Sequence, residues 1–470
     1  LSWKNVDSMI NRKLDKYIAQ HYDSSRSALL LMGARQTGKT FAIRKYAETH
    51  HCNLIEINFL EDSSAKIIFQ NANNAKEILL RISAHTRMRT SDPNTLIFFD
   101  EFQCCPEILT QIKFLVDEGS CHYALSGSLI GVKLKDLLKD IQSVPVGYIT
   151  VKEVYPLDLE DFAKAVGLSD DVFNAIKTAW EKRMPVDDVV HESMMKIIQL
   201  YLVVGGMPAS IQAYLDTNDL NVVEERQQEI LTLYHWDIAQ YDSEEKLRIN
   251  EIFDLIPSEL AAKNKRFILK KLNEGARFTK YEDSFLWLKN AGVAIATYNI
   301  TEPKFPARLN EQRNLFKLFQ NDVGLLACQY ASGIQLKLLS GEMNINYGSI
   351  YENFVAQELF VHGFGGREHN LWYFNDKKQG ELDFVIEQDG EIVPIEVKSG
   401  KDYERHNALR NVMENVNYNI RHALVLSHSN VQEKGRITYA PIYMTMFIQK
   451  HPSVDRQLYH LDLNPLLIEN

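Results

Sequence analysis

Gly33-Ala34-Arg35-Gln36-Thr37-Gly38-Lys39-Thr40 follows the apolar run Ala28-Leu29-Leu30-Leu31-Met32 without a break. These eight residues fit the pattern G-x-x-x-x-G-K-[ST]. The glycines let the backbone bend tightly enough for successive N–H groups to point inward at a triphosphate, Lys39 adds a positive charge, and Thr40 adds a hydroxyl for Mg²⁺. The segment from Thr40 to Glu48 reads as a helix whose N-terminal dipole faces the same phosphates. All eight positions are therefore candidate ATP contacts, with Thr40 also on the metal.

Working outward, Thr95-Leu96-Ile97-Phe98-Phe99 is a second apolar run. It is continuous rather than alternating, as expected of a strand buried on both faces of a parallel sheet. It ends in Asp100 and Glu101. An acid at such a strand end helps hold Mg²⁺, and a following glutamate can orient or deprotonate a water, which assigns Asp100 to the metal and Glu101 to the water. His122-Tyr123-Ala124-Leu125-Ser126-Gly127-Ser128 reads as a further strand ending in small hydroxyl residues. Ser126 is the candidate sensor of the γ-phosphate, Ser128 the alternative, and a plain turn the structural reading. With a shorter strand at Leu54-Ile55-Glu56-Ile57, strands and helices alternate through the first half. That implies an α/β three-layer sandwich with a parallel sheet.

The chain has 470 residues, too many for one hydrophobic core, and a formal net charge of −10. An acidic balance argues against a globally basic nucleic-acid coat, although a local groove can still be positive. No apolar run approaches the roughly 20 residues needed to cross a bilayer. No N-terminal stretch combines a basic start, an apolar segment and a small-residue cleavage site. Cys52, Cys104, Cys105, Cys121 and Cys328 form no C-x-x-C pair, which suits free thiols and makes a zinc site improbable. The expectation is a cytoplasmic protein without a membrane segment.

The order GARQTGKT, TLIFFDE, ALSGS and Tyr155-Pro156-Leu157-Asp158-Leu159-Glu160-Asp161-Phe162 resembles bacterial and archaeal AAA-type ATPases. More narrowly, it resembles those fused to a C-terminal domain of unknown function with nuclease-like motifs. Gly205-Gly206-Met207-Pro208 and Phe316-Lys317-Leu318-Phe319-Gln320-Asn321-Asp322-Val323-Gly324-Leu325-Leu326 carry the narrower likeness. One departure is Pro145-Val146-Gly147-Tyr148, where many relatives have an arginine, so no arginine finger carries over. Arg183, Arg226 and Arg248 are the other candidates, and Arg35 lies within the phosphate loop. Whether hydrolysis uses a second copy of the chain, as a homo-oligomer would supply, stays open.

Between the two ends, 158–240 is helical in period until Gly205-Gly206-Met207-Pro208 interrupts it, and reads as a lid or adaptor. Helices near Arg248–Leu260, Phe267–Glu274 and Thr279–Asn290, followed by a strand over Val293–Ile300, suggest a winged helix over 241–302. Its Lys263, Lys265, Lys270, Lys271, Arg277, Lys280 and Lys289 suit DNA backbone, or are solvated helix faces in a unit that contacts a protein partner.

Near the C-terminus, Glu381-Leu382-Asp383-Phe384-Val385-Ile386-Glu387-Gln388-Asp389-Gly390-Glu391-Ile392-Val393-Pro394-Ile395-Glu396-Val397-Lys398 reads as a hairpin with a two-residue Asp-Gly turn. Counting back from Gln388 opposite Glu391 pairs Asp383 with Glu396, and on an apolar face Leu382 with Val397, Phe384 with Ile395 and Ile386 with Val393. Two opposed carboxylates repel, and a divalent cation is the natural compensation. Oxygen ligands favour Mg²⁺ or Mn²⁺, and Lys398 shares the face of Glu396. Pro394 lacks a ladder donor, so its strand is expected at an edge or bulged. Together these residues resemble the D…E-x-K core of restriction-endonuclease-like enzymes. That resemblance implies a further glutamate from the preceding helix, matched by Glu352, and metal-activated attack on a phosphodiester.

The resulting expectation is an ATPase domain over 1–157, a lid over 158–240, a winged helix over 241–302, a helical linker over 303–345 and an α/β restriction-endonuclease-like domain over 346–470. Its function is Mg²⁺-dependent ATP hydrolysis coupled to a metal-dependent nuclease or nucleic-acid-binding tail. The alternative is a nucleotide-controlled switch whose inactive nuclease-like tail docks DNA or a protein.

Overall fold

The structure is a computed structural model. It describes residues 10–450 except 73, 93, 129–146, 240–242, 263–264, 269–271, 273–277, 331–332, 341–347 and 367–369. β1 (Ala28–Gly33), β2 (Asn53–Asn58), β3 (Thr95–Asp100), β4 (His122–Ser128) and β5 (Ile149–Glu153) form a parallel sheet in the order β2-β3-β4-β1-β5. Every residue of β1 and β3 is buried. The cause is helical cover on both faces. Leu30, Met32, Ile97 and Phe99 join one core with helices Ala75–Thr86 and Ile108–Glu118, and Leu29, Leu31, Leu96 and Phe98 join another with Lys13–Ser24 and Lys39–Thr49. This is the expected three-layer sandwich.

The segment 158–240, read from the sequence as a lid or adaptor, contains helices Leu159–Ala165, Asp170–Glu181, Asp188–Val204, Pro208–Thr217 and Leu220–Ile238. Among the described residues no single helix is long and apolar enough to cross a membrane, and the apolar pair Asp188–Val204 and Pro208–Thr217 is bent by 117°. The bend has a local cause. Gly205 has φ +72°, a Cβ on Gly206 would stand 2.1 Å from the Leu157 carbonyl oxygen, and Pro208 opens the next helix where no backbone donor is needed.

A second sheet has the order β12-β13-β11-β10-β9-β8-β6-β7. Its strands are β6 (Ala294–Ile300), β7 (Glu311–Gln320), β8 (Leu371–Asp376), β9 (Gly380–Gln388), β10 (Glu391–Val397), β11 (Ala423–Ser427), β12 (Gln432–Lys434) and β13 (Ile437–Pro441). This corrects the domain map. The segment 303–345, expected as a helical linker, holds the ten-residue β7 before helices Val323–Gln329 and Ile334–Ser340. The strand expected as a wing is β6, which pairs antiparallel with β7 and parallel with β8. The C-terminal sheet therefore begins well before residue 346. Of the three expected helices, Ser243–Ala261 and Phe278–Asn290 are present, whereas most of Phe267–Glu274 lies outside the described residues. The Phe267 N–H donates to the Phe316 carbonyl at 2.9 Å, so that segment begins by covering the edge of β7.

Asp389 and Gly390 both have positive φ, 52° and 78°, as a type I′ turn requires, and the ladder pairs Gln388 with Glu391, Ile386 with Val393 and Phe384 with Ile395 as counted. Two expectations here are corrected. Pro394 is neither at an edge nor bulged: it faces Val385 in register, and the β10–β11 ladder starts one residue later, at Ile395, where a donor is present again. Leu382 does not share the face of Phe384. Val385 faces Trp372 and Leu382 faces Phe374, so three steps on β9 match two on β8. This bulge turns Leu382 into the core with Trp372 and Phe374, while Phe384, Ile386, Val393, Ile395 and Val397 join the core shared with the lid.

The shared core is sealed by Asp322. Its fully buried carboxylate accepts from Gly206 N at 2.6 Å and Leu325 N at 3.0 Å. Asp322→Ala would leave both donors buried and unpaired, so stability should fall by about 2–4 kcal/mol, and Asp322→Asn, which keeps an acceptor oxygen, should fall by less. Calorimetric midpoints check this, and an alanine variant as stable as wild type would contradict it.

Candidate functional site

The phosphate loop leaves β1 at Gly33, where a Cβ would stand 2.1 Å from the Val154 carbonyl oxygen, and enters helix Lys39–Thr49 at Gly38, whose φ is +86°. Both positions therefore need glycine. The Lys39 ammonium donates to the carbonyls of Gly33 at 3.1 Å and Ala34 at 2.7 Å, and the Thr37 hydroxyl donates to Ala34 at 2.9 Å. Burial pushes Lys39 down to about 8, against the opposing charges of Glu101 and Asp100. Such an ammonium is poised for a stronger anionic partner.

β3 delivers Asp100 to this loop. Its carboxylate accepts from Thr40 Oγ1 at 3.1 and 3.2 Å, from Asn58 Nδ2 at 3.4 Å and from Ser126 Oγ on β4. Burial raises the Asp100 pKa, with Glu101 adding to the effect and the Ser126 and Thr40 hydroxyls opposing it. The expected metal residues Thr40 and Asp100 and the expected sensor Ser126 thus converge, and these hydroxyl and carboxylate oxygens fit Mg²⁺. The Ser128 side chain lies outside the described residues. Glu101 leaves the strand at φ 54°, and its carboxylate accepts from Gln103 Nε2.

Several contacts had no motif to announce them. Arg12, ahead of the first helix, donates to the carbonyls of Thr37 at 2.7 Å and Tyr155 at 2.8 Å. A Cβ on Gly38 would meet Arg12 Nη1 at 3.2 Å and Pro208 Cγ at 3.4 Å, which brings the lid turn against the loop. Arg35 forms an ion pair at 2.6 Å with Asp237, fully buried on the lid helix Leu220–Ile238, and burial pushes that carboxyl up to about 6. The other arginine-finger candidates are engaged elsewhere in the chain. Arg183 lies over Trp180, Arg226 pairs with Glu229, and Arg248 donates to the Lys280 carbonyl. Residues 145–146, at the departure from the expected arginine-finger position, lie outside the described set.

Helix Gly348–Leu359 joins this site to the second one. Glu358 accepts from Leu159 N at 3.0 Å in the lid, Gln357 accepts from Val323 N and donates to Tyr201 Oη, both at 2.8 Å, and Asn353 accepts from Gln320 N at 2.8 Å. Glu352, on the same helix, is buried beside the C-terminal hairpin.

There the structure brings Glu352, Asp383, Glu396 and Lys398 together and adds lysines. Lys398 Nζ lies 2.8 Å from Glu396, and an Asp383 oxygen accepts from Val397 N at 2.8 Å. Glu352 is paired with Lys265, while Lys317, fully buried on β7, lies 2.6 Å from Glu381 and 3.9 Å from Glu352. Burial first, and then the nearby Asp383 charge, raises the pKa of Glu352 and of Glu396. Among the described residues no group of three or more His, Cys, Asp or Glu side chains stands at metal-holding spacing. Each of these glutamates already faces an ammonium, so this donor set does not fit a preformed divalent centre.

A family described as AAA domain matches residues 25–163, and two described as domains of unknown function, DUF8612 and DUF4143, match 195–337 and 347–444. No curated protein matches the sequence. Similar solved structures include the Walker-type ATPase PABY2304 of Pyrococcus abyssi, at 15% identity over 69% of this chain and 97% of that chain with a TM-score of 0.41. PCH-2 of C. elegans is 14% identical over 45% and 65% with a TM-score of 0.26. The STAND protein PH0952 from Pyrococcus horikoshii, which has a tetratricopeptide repeat sensor, is 11% identical over 77% and 47% with a TM-score of 0.27. With the phosphate loop, the β3 acids and the parallel sheet in place, the N-terminal part of the chain is an AAA-type P-loop ATPase domain.

Proposed function

We propose that the chain is an ATP-hydrolysing switch whose nucleotide state is passed through the lid to the C-terminal sheet. The observation that carries this is the buried joint between them: Asp322 on the Gly206 N–H at 2.6 Å and Glu358 on the Leu159 N–H at 3.0 Å. Thr40 and Asp100 would hold Mg²⁺, which supplies charge neutralisation at the phosphates. Lys39 exchanges its carbonyl partners for phosphate oxygens, and Glu101 takes the proton of the attacking water. Arg35, beside the incoming phosphates, is drawn from Asp237, and that exchange frees the helix Leu220–Ile238 to move. The state of the tail then selects a nucleic-acid or protein partner.

Lys39→Ala should lose ATP binding by calorimetry. Glu101→Gln should still bind but hydrolyse on the order of a hundredfold more slowly. In Glu101→Gln, added ATP should change amide exchange at 157–160, 205–207 and 322–325; unchanged exchange there would rule out the switch.

ATP binding should also carry a proton signature. Free Lys39 titrates near 8, below its ordinary value, and a phosphate partner raises it again. Well below pH 8 the group is charged in both states and moves no proton. From about pH 8 to about 10, binding takes up a proton and affinity falls as pH rises. Calorimetry in buffers of different ionisation enthalpy measures this, and no uptake in that window would contradict it.

A second reading, a metal-dependent nuclease, is favoured by the convergence of Asp383, Glu396 and Lys398. It requires Mn²⁺- or Mg²⁺-dependent DNA cleavage that both Asp383→Ala and Lys398→Ala abolish, and cleavage that survives either change excludes it.

A further inference from the structure

Four carboxylates gather where helix Gly348–Leu359 meets the mixed sheet: Glu352, Glu381, Asp383 and Glu396. Three ammonium groups answer them, Lys265 on Glu352, Lys317 on Glu381 and Lys398 on Glu396, while Asp383 takes the Val397 N–H. The cluster thus carries one formal negative charge. A divalent ion added with all three lysines in place would leave a net positive charge in a largely buried site. With Lys265 withdrawn the same ion would bring the sum to zero. In a low-dielectric setting such an imbalance decides occupancy.

The three lysines are not equally free to leave. Lys317 lies within β7, fully buried, with its ammonium also 4.9 Å from the centre of the Tyr373 ring. Lys398 is anchored by its own N–H, which donates to the Leu426 carbonyl at 2.8 Å. Lys265 belongs to neither strand nor helix: it sits in the connection between helices Ser243–Ala261 and Phe278–Asn290, and its side chain keeps 21% exposure. Among the described residues its own backbone pairs with no strand, and the nearest hold on β7 is the Phe267 N–H on the Phe316 carbonyl at 2.9 Å.

We infer that Lys265 is a tethered cation that takes, on Glu352, the place a divalent metal would otherwise occupy, and so keeps the C-terminal carboxylate centre metal-free. The inference rests on the second reading above in taking Glu352, Asp383 and Glu396 as the ligands a metal would use. It makes Lys265 the controlling residue of that centre.

The test is Mn²⁺ alone, titrated into the full-length protein without nucleotide and followed by calorimetry and by the electron paramagnetic resonance signal of free Mn²⁺. The C-terminal site is identified as the binding lost on Glu352→Gln. Lys265→Met should bind Mn²⁺ there at least about tenfold more tightly than wild type, and Lys265→Arg, which keeps the cation, should resemble wild type. Lys265→Gln replaces the methionine variant if that one does not fold. Equal affinity in wild type and the uncharged variant would overturn the inference while leaving a metal site standing. No Glu352-dependent binding in either would overturn both the inference and the metal reading beneath it.

Discussion

The buried Asp322 carboxylate is the joint that ties the two halves of the molecule together. Burial pushes it up to about 6, yet it stays in place because the donors around it, Gly206 N and Leu325 N, would otherwise be orphaned in the core. The fit leaves no slack. A Cβ on Gly205 would stand 2.2 Å from Asp322 Oδ1, and one on Gly324 would stand 2.7 Å from Gly205 N. Lid backbone, carboxylate and the start of helix Val323–Gln329 must therefore move together or not at all.

Around that joint the polar contacts form a continuous chain. Tyr201 Oη donates to the Leu157 carbonyl and accepts from Gln357, which also holds Val323 N. Arg12 and Pro208 reach the phosphate loop, and Arg35 reaches from within the loop to Asp237. Few of these contacts are local in sequence. They are short, buried and directional, which is what the proposed two-state connection requires of them.

Local physics carried much of this into the sequence. β1 and β3 were readable because fully buried parallel strands are continuous apolar runs, and with the hydroxyl-ended β4 they placed Lys39, Thr40, Asp100 and Ser126 together. The hairpin register followed from Asp389-Gly390 alone. What could not be read was long-range. Nothing in Glu311–Gln320 says that it pairs with β6, or that β6 pairs with a strand some seventy residues later. The bulge opposite Trp372 depends on β8, so Leu382 was placed on the wrong face. Lys265 looked like a surface cation because a lysine turned inward is betrayed only by the carboxylate waiting for it.

The threading of β6 and β7 into the C-terminal sheet bears on how such chains can be recombined. A tail exchanged just ahead of Gly348 would arrive without two of its strands, and the donor ATPase would keep β6 and β7 with nothing on the β6 edge that β8 had covered. Asp322 lies between those strands and the exchanged portion, so a crossover there would also part the clamp from Gln357 and Glu358. A new tail is tolerated only if the crossover falls upstream of β6 and the incoming piece brings its own aspartate for the recipient's glycine pair. The unit of inheritance is thus larger than the unit that carries the chemistry.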